Sequence, residues 1–229
     1  MMSDRNLLVL HGALGSETQV QLTSNTNKFI LCTLDFSGHG GAELADSTFG
    51  IKTFAQDVIN YLNKYNIAQI DIFGYSMGGY VALYLALNYP EKVGKIFTLG
   101  TKFLWTPEYA KTEMKKLNAD KIQEKVPQFA EQLKQRHTAL DWRELLFHTA
   151  QMMRDLGNNP LLTLENLTQI NHKVRIGIGD RDNTVTVEEA QKVQQALPNA
   201  ELEVFPNTQH PFERVNRERL LFSLKDFFQ

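Results

Sequence analysis

The sequence predicts an α/β protein built on a doubly wound, mostly parallel sheet. Short apolar segments recur along the chain and are nearly continuous rather than alternating, which is typical of strands buried on both faces. Segments with helical periodicity lie between them, so strand and helix alternate. The 229 residues are 42% hydrophobic and 22% charged, which is enough for one well-buried core of ordinary globular composition.

The individual elements follow from local patterns. Apolar residues recur at helical spacing over residues 54–62, 81–89 and 220–228. Thr186, followed three positions later by Glu189, predicts a capping box that begins a further helix. The predicted strands, in chain order, are residues 7–10, 29–34, 67–73, 93–99, 174–178 and 202–205.

Residues 101–171 interrupt the alternation, because they contain no convincing strand. We predict that they form a helical cap over the carboxyl ends of the strands, with residues 1–100 and 172–229 forming the core domain. This cap is expected to set substrate choice and to contribute little to the chemistry. Its helix-like pieces are residues 109–117, 122–136 and 142–156.

Apolar side chains of this segment are candidates to line a substrate pocket. They include Phe103, Trp105 and Met152. The alternative interpretation is that most such side chains hold the cap helices together.

Ser76 is the candidate nucleophile. It lies in Gly74-Tyr75-Ser76-Met77-Gly78, between an apolar run and a helix-like run, which is the strand, sharp turn and helix order of a nucleophile elbow. Flanking glycines allow close backbone approach, and the following helix directs its positive end at the serine. The alternative role for Ser76 is that of an ordinary helix N-cap.

A serine hydroxyl needs an adjacent base, and the base needs an acid that orients it. His210 is the only histidine after Asp182, and it follows a predicted strand. Asp180 and Asp182 both follow the preceding predicted strand and compete for the role of the acid, since loop aspartates are often only turn formers. Backbone amides of Met77 and Ala13 would form the oxyanion hole, one following the nucleophile and one in a glycine-containing loop.

Four motifs follow one another along the chain. They are His11-Gly12 after the first strand, Asp35-Phe36-Ser37-Gly38-His39-Gly40 after the second, the elbow at Ser76, and the acid and base segments near Asp182 and His210. In this order they resemble the α/β-hydrolase family over nearly the whole chain.

The resemblance implies a Ser76–Asp182–His210 catalytic triad with Ala13 and Met77 as oxyanion donors. It favours Asp182 over Asp180, because the family places the acid three residues after the glycine. It also implies a reduced N-terminus, since the first motif begins at residue 11 and leaves no room for the antiparallel strands of larger members.

The predicted function is that of a serine hydrolase that cleaves a small carboxylic ester, or a related lactone or thioester, through an acyl-enzyme on Ser76. A serine at the elbow argues against the epoxide hydrolases and haloalkane dehalogenases of the same fold, which use aspartate there. Fold alone leaves other classes open. They are a ligand-binding scaffold that keeps the triad, a lyase, a carbon–carbon bond hydrolase and an acyltransferase.

Composition narrows the partners. A formal net charge of −2 gives no basic footprint, so a small-molecule substrate is expected and nucleic acid is not. The N-terminal apolar run belongs to the first strand, so neither a signal peptide nor a membrane span is predicted there, and a cytoplasmic location is expected. The single cysteine, Cys32, excludes a disulfide within the chain.

Histidines give no metal-ligand spacing, and neither metal nor cofactor is predicted. His11 and His39 follow predicted strands and are candidates to contact substrate. The alternative is that they are loop residues hydrogen-bonded to backbone.

Overall fold

The structure is a computed structural model that describes residues 5–22, 29–44 and 48–229. Its strands form one six-stranded sheet in the order β2-β1-β3-β4-β5-β6, and every neighbouring pair is parallel. The predicted doubly wound, parallel sheet is therefore confirmed. The strands are β1 Arg5–Leu10, β2 Phe29–Thr33, β3 Ile70–Tyr75, β4 Val93–Leu99, β5 Val174–Gly179 and β6 Ala200–Phe205.

Helices connect the strands and cover both faces of the sheet. The described residues also form short 3₁₀ helices at Pro90–Lys92, Lys115–Leu117 and Phe212–Arg214. The α-helices are α1 Ile51–Lys64, α2 Met77–Asn88, α3 Pro107–Met114, α4 Ala119–Lys125, α5 Pro127–Arg136, α6 Trp142–Asn158, α7 Leu164–Leu167, α8 Val187–Ala196 and α9 Arg217–Phe228.

The core forms two layers because successive side chains of a strand point to opposite faces. Leu8 and Leu10 of β1 belong to the core cluster on the face that α1, α2 and α8 cover. Leu7 and Val9 of the same strand pack on the other face, where α9 covers the sheet. Both faces are thus dry, which explains the continuous apolar runs of the strands.

The chain reverses its direction of winding between β1 and β3, since β2 lies on one side of β1 and β3–β6 lie on the other. In open parallel sheets this switch point leaves a crevice beyond the carboxyl ends of the two strands. The loop after β1 and the turn after β3 both begin at this crevice. The fold therefore brings Ala13 and Ser76 to the same end of the sheet.

Helix α2 packs very closely on β1. A Cβ atom on Gly78 would lie 2.5 Å from the carbonyl oxygen of Leu10, so only glycine fits at this position. Nine of the twelve residues of α2 are buried, which makes this helix a rigid support for the turn that precedes it.

All of residues 101–171 are described. They form α3–α7 and contain no strand. The prediction of a single helix over residues 122–136 is wrong. Helix α4 ends before Val126, and a separate helix, α5, begins at Pro127. Proline lacks an N–H and disfavours helical backbone at the residue before it.

This segment has a small apolar cluster of its own and also joins the main core. Met152 and Leu156 of α6 belong to the main core on the α1–α2 face of the sheet. The cluster of its own, here called the cap cluster, consists of Ile122, Ala130, Leu133, Trp142 and Leu146. That residues 101–171 act as a distinct cap stays a prediction.

Within the described ranges, none of the helices has the length and apolar character needed to cross a bilayer.

Candidate active site

Ser76 lies on a strained turn between the last residue of β3 and the first residue of α2. Its φ of 50° and ψ of −115° fall in a region that residues with a Cβ rarely adopt. Hydrogen bonds hold the turn in place, from Ser76 N to the Leu99 carbonyl at 2.8 Å and from Thr101 Oγ1 to the Ser76 carbonyl at 2.9 Å. Backbone strain of this kind persists where the surrounding structure enforces it, commonly at functional sites.

The Ser76 side chain does not cap α2, so the alternative interpretation of an ordinary N-cap serine is wrong. Its Oγ lies instead 3.3 Å from Nε2 of His210. That distance is typical of acid–base pairs without bound substrate, which tighten when the substrate is present.

His210 is held from its other side by Asp182, whose Oδ2 lies 2.7 Å from His210 Nδ1. The Nδ1–H donates to this carboxylate, which leaves the lone pair of Nε2 directed at the Ser76 hydroxyl. The Asp182 side chain is 2% exposed, so this hydrogen bond is shielded from water. The three side chains form one continuous chain of hydrogen bonds.

The two candidate acids have different surroundings. Asp182 Oδ1 accepts hydrogen bonds from the backbone N–H groups of Thr184 and Val185, at 2.8 and 3.0 Å, which leaves Oδ2 for His210. Asp180 is exposed, and its Oδ1 accepts from the backbone N–H of Thr208 at 3.1 Å. Backbone hydrogen bonds lower the pKa of Asp180, as expected for a turn former.

Two neighbours fix the loop that carries His210. The Tyr75 hydroxyl donates to the His210 carbonyl at 2.9 Å, and burial raises the pKa of this phenol, which keeps it a neutral donor. Gly100 has a φ of 63°, and a Cβ there would lie 3.2 Å from Asp182 Oδ2. Glycine at this position therefore leaves room for the acid and the base to meet.

The two predicted oxyanion donors, Ala13 and Met77, line the same cavity as Ser76 and His210. Met77 is the first residue of α2, so its N–H has no acceptor within the helix and lies at the positive end of the helix dipole. Ala13 lies in a turn closed by a hydrogen bond from Gly15 N to the Gly12 carbonyl at 3.1 Å. Gly12 approaches the elbow so closely that a Cβ there would lie 3.2 Å from Ser76 Cβ.

The cavity has a volume of about 260 Å³ and is lined by both apolar and polar side chains. Trp105 and Met152 line it, as predicted from the sequence. Phe103 does not, because its ring is 1% exposed and stacks on Tyr80 with the ring centroids 6.1 Å apart. The apolar lining includes Ile51, Met152, Met153 and Leu156, and the polar lining includes Lys102, Tyr109, Glu113 and Thr184.

The prediction that His11 and His39 contact substrate requires correction, because both rings are fully buried and neither lines the cavity. His11 Nδ1–H donates to the Gly12 carbonyl at 2.8 Å, and its Nε2 accepts from Phe36 N at 3.2 Å. Burial lowers the pKa of His11 to about 4 and holds that of His39 well below its usual range. The alternative role, that of loop residues bonded to backbone, is the correct one.

Glu189 holds a segment of the cavity wall in place from behind, although sequence reasoning assigned it another role. Thr186 does cap α8, but the Glu189 side chain does not return to close a capping box. It pairs with Lys102 and accepts from the backbone N–H groups of Phe103 and Leu104, both at 3.2 Å. The capping-box pattern pointed to the helix, and no local signal in the sequence indicated this contact across 85 positions.

In the described part of the chain, no group of three or more His, Cys, Asp or Glu side chains is arranged to hold a metal ion.

Comparison with known proteins shows the family to which the chain belongs. Residues 5–162 match the sequence profile of the alpha/beta hydrolase fold, and the chain belongs to this family of enzymes. The profile match includes the elbow at Ser76 and ends before Asp182 and His210. The prediction of an α/β-hydrolase enzyme is confirmed at this level.

Individual relatives differ in their activities. The chain is 32% identical over 120 residues to a probable alcohol acetyltransferase from Cyberlindnera fabianii, in an alignment that covers 49% of this chain and 32% of that protein. It is 28% identical over 102 residues to 3-oxoadipate enol-lactonase 2 from Acinetobacter baylyi, which covers 43% of this chain and 38% of that protein. The alignments thus span only about a third of the length of these two relatives.

Among solved structures, a thermophilic esterase from Thermogutta terrifontis superimposes with a TM-score of 0.78 at 18% identity, over 98% of this chain and 89% of that chain. At this identity the likeness shows the fold alone.

Proposed function

We propose that this protein is a serine hydrolase that cleaves a small carboxylic ester, or a related lactone or thioester, through an acyl-enzyme on Ser76. The observation that carries the proposal is the unbroken chain of hydrogen bonds from Ser76 through His210 to Asp182, at a cavity wall. The enol-lactonase name of a similar protein supports the same class of reaction.

Acylation begins when His210 Nε2 removes the proton from Ser76 Oγ, which attacks the carbonyl carbon of the substrate. The negative charge that develops on the carbonyl oxygen is stabilised by the backbone N–H groups of Ala13 and Met77. Asp182 keeps the proton on Nδ1 and stabilises the imidazolium. The tetrahedral intermediate collapses as His210 gives its proton to the leaving alcohol, and the acyl group remains on Ser76.

Deacylation repeats these steps with water as the nucleophile. His210 takes a proton from water, the hydroxide oxygen bonds to the acyl carbon, and His210 then returns the proton to Ser76 Oγ as the acid leaves. No further group is required for the balance of protons.

The cavity supports a small substrate with an apolar part. Its volume of about 260 Å³ lies slightly below the usual range for ligand pockets. Met152, Met153 and Leu156 of α6 would contact the apolar part, so we propose that residues 101–171 act as the substrate-selecting cap.

Covalent labelling tests this proposal. A fluorophosphonate should modify the protein once, and peptide mass analysis should locate the adduct on Ser76. Ser76→Ala should abolish both labelling and hydrolysis of p-nitrophenyl acetate. Ser223→Ala is the control, because Ser223 is a buried serine that lies on α9 and outside the cavity lining. Labelling at another residue, or hydrolysis that survives in Ser76→Ala, contradicts the acyl-enzyme mechanism.

Acyl transfer to an alcohol is a second candidate, because several similar proteins carry alcohol acetyltransferase names. Both reactions share the acyl-enzyme and differ only in whether water or an alcohol accepts the acyl group. The test is the product ratio from p-nitrophenyl acetate in the presence of ethanol. A hydrolase yields mainly acetate at millimolar ethanol, whereas ethyl acetate as the main product favours the transferase.

A further inference from the structure

Leu14 connects the active-site cavity with the inserted segment of residues 101–171. It directly follows Ala13, and both residues line the cavity. Its φ of 58° is left-handed, which a residue with a branched side chain rarely adopts. The turn of residues 12–15, here called the oxyanion loop, therefore needs external contacts to hold Leu14 in this conformation.

Those contacts come from the C-terminal end of α5. The Leu14 carbonyl accepts two hydrogen bonds, one from Arg136 Nη1 at 2.9 Å and one from His137 Nε2 at 3.0 Å. Arg136 is the last residue of α5, and His137 is its C-cap. Arg136 and His137, which lie 122 and 123 positions further along the sequence, thus fix the residue next to Ala13.

The ring of His137 is locked in one tautomer. Its Nδ1 accepts a hydrogen bond from the backbone N–H of Gly40 at 2.9 Å, so the ring proton resides on Nε2 and is donated to Leu14. The residue is 4% exposed, and burial lowers its pKa to about 4. The donor to Leu14 is consequently present across the pH range in which a serine hydrolase is assayed.

The Leu14 side chain makes an independent contact with the same segment. It packs against the cap cluster, which α4, α5 and α6 build around Leu133 and Trp142. The carbonyl and the side chain of one strained residue are therefore both held by the insertion.

We propose that His137, together with Arg136, is a positioning residue that sets the oxyanion loop and thereby the direction of the Ala13 N–H. The inserted segment then contributes to the chemistry as well as to substrate choice, which differs from the expectation based on the sequence. This inference rests on the proposed function, since it assigns a task to Ala13 that only an oxyanion intermediate requires.

Two amide substitutions separate the hydrogen bonds of His137. The amide of asparagine lies one bond beyond Cγ, as Nδ1 does, so His137→Asn can still accept from Gly40 but no longer reaches Leu14. The amide of glutamine lies two bonds beyond Cγ, as Nε2 does, so His137→Gln can still donate to Leu14 but no longer accepts from Gly40. A residue with a purely structural role would respond to both losses alike.

The experiment compares the stability of tetrahedral adducts on Ser76, measured by kcat and by phenylboronic acid affinity, with the binding of the intact ester, measured by KM. His137→Asn should lower kcat for p-nitrophenyl butyrate by about tenfold or more, because removal of a whole oxyanion donor costs about 10²–10³. KM should change little, and the affinity for phenylboronic acid, which forms a tetrahedral adduct with serine, should fall in parallel with kcat. His137→Gln should keep most of the wild-type kcat and most of the affinity for phenylboronic acid.

Arg136→Met provides a second variant that does not depend on the folding of the buried His137 variants, since Arg136 is only half-buried. It removes the other donor to Leu14 and keeps the apolar stem. A smaller loss of kcat is expected, and the double variant with His137→Asn should lose more than the product of the two. Lys134→Met, at an exposed position of the same helix, is the matched control and should behave as the wild type.

The inference is overturned if the Asn and Gln variants lose the same fraction of kcat, or if KM rises while boronic acid affinity is unchanged. It is also overturned if Arg136→Met with His137→Asn is folded and fully active. These results differ from failure of the proposed function itself, in which the wild-type protein neither hydrolyses the ester nor forms a fluorophosphonate adduct on Ser76.

Discussion

Asp182 determines the tautomer of His210 because each of its carboxylate oxygens already has its own partner. Oδ1 accepts from Thr184 and Val185, and Oδ2 faces His210. In Asp182→Asn the amide oxygen must take the place of Oδ1, so the NH₂ group faces Nδ1 and donates to it. The ring proton then moves to Nε2, and this nitrogen can no longer accept the serine proton. As a result, kcat should fall by up to about four orders of magnitude.

The matched control is Asp180→Asn, which removes a carboxylate two positions away. Asp180 accepts from the backbone of Thr208 and does not contact His210, so this substitution should lower thermal stability and leave turnover within a few-fold. Steady-state kinetics of the two purified variants decide the assignment. Asp180→Asn as the inactive variant would make it wrong.

Helix α8 supports the cavity wall indirectly, because Glu189 binds the segment that carries Lys102 and Trp105. Its carboxylate satisfies the backbone N–H groups of Phe103 and Leu104 and pairs with Lys102, while Trp105 Nε1 donates to the Lys102 carbonyl at 3.0 Å. In Glu189→Ala these partly buried donors lose their acceptor, which should lower the free energy of unfolding by about 1–3 kcal/mol. The KM of ester substrates should rise, because Lys102 and Trp105 line the cavity.

Glu188→Ala is the matched control in urea denaturation, since both acids lie in the first turn of α8 and interact equally with the helix dipole. Glu188 is exposed, so its loss should lower the free energy of unfolding much less than the loss of Glu189. Equal losses in the two variants would mean that Glu189 acts only as an acidic residue at the helix start.

Helix α6 separates the active-site cavity from a second cavity of about 320 Å³. Ile51, Met152 and Leu156 line both, whereas Met153 lines only the first. Met152→Ala should therefore join the two cavities and raise kcat/KM for octanoate relative to acetate esters by about tenfold or more, since each methylene-sized contact is worth about 1–3 kcal/mol. Loss of the buried side chain should also lower stability by about 2–5 kcal/mol.

Met153→Ala tests whether this effect depends on position. It removes the same side chain from the adjacent residue and enlarges only the first cavity, so the preference for octanoate should shift much less. A series of p-nitrophenyl esters from acetate to octanoate measures both variants. An equal shift in the two would show that the wall between the cavities does not limit chain length.

At the scale of the whole molecule, the sheet was predictable because its central strands, β1, β3, β4 and β5, are largely buried on both faces and leave nearly continuous apolar runs. The elbow was predictable for a related reason, since close packing of α2 on β1 requires glycine at position 78, two residues after Ser76. Phe103, His11 and His39 do not line the cavity. Neither an apolar position in the inserted segment nor a position after a strand determines whether a side chain points to the cavity or to the core.

Contacts between distant segments carry no local pattern. The anchoring of Leu14 by His137 and of Leu104 by Glu189 spans 123 and 85 positions, and neither pair has a periodicity or a motif that sequence reasoning can use. Such contacts depend on how the inserted segment packs on the core, which only the three-dimensional structure reveals.

The buried histidines give the fold a specific sensitivity to mild acid. Burial lowers the pKa of His11 and of His137 to about 4, and that of His39 well below its usual range. In the unfolded chain the same groups titrate at about 6.5, so below that pH the unfolded state binds protons that the folded state does not. Stability is therefore complete above about pH 6.5 and is lost as the pH falls toward about 4.

Urea denaturation at pH 7, 6 and 5 measures this loss in a range where most carboxylates stay ionised. Each of the three histidines should lower the free energy of unfolding by up to about 1.4 kcal/mol per pH unit. In His137→Gln one titrating group is absent, so the slope should decrease by about one proton while the remaining dependence persists. A free energy of unfolding that is constant between pH 7 and 5, or a slope unaffected by this substitution, would show that these rings are protonated in the folded protein.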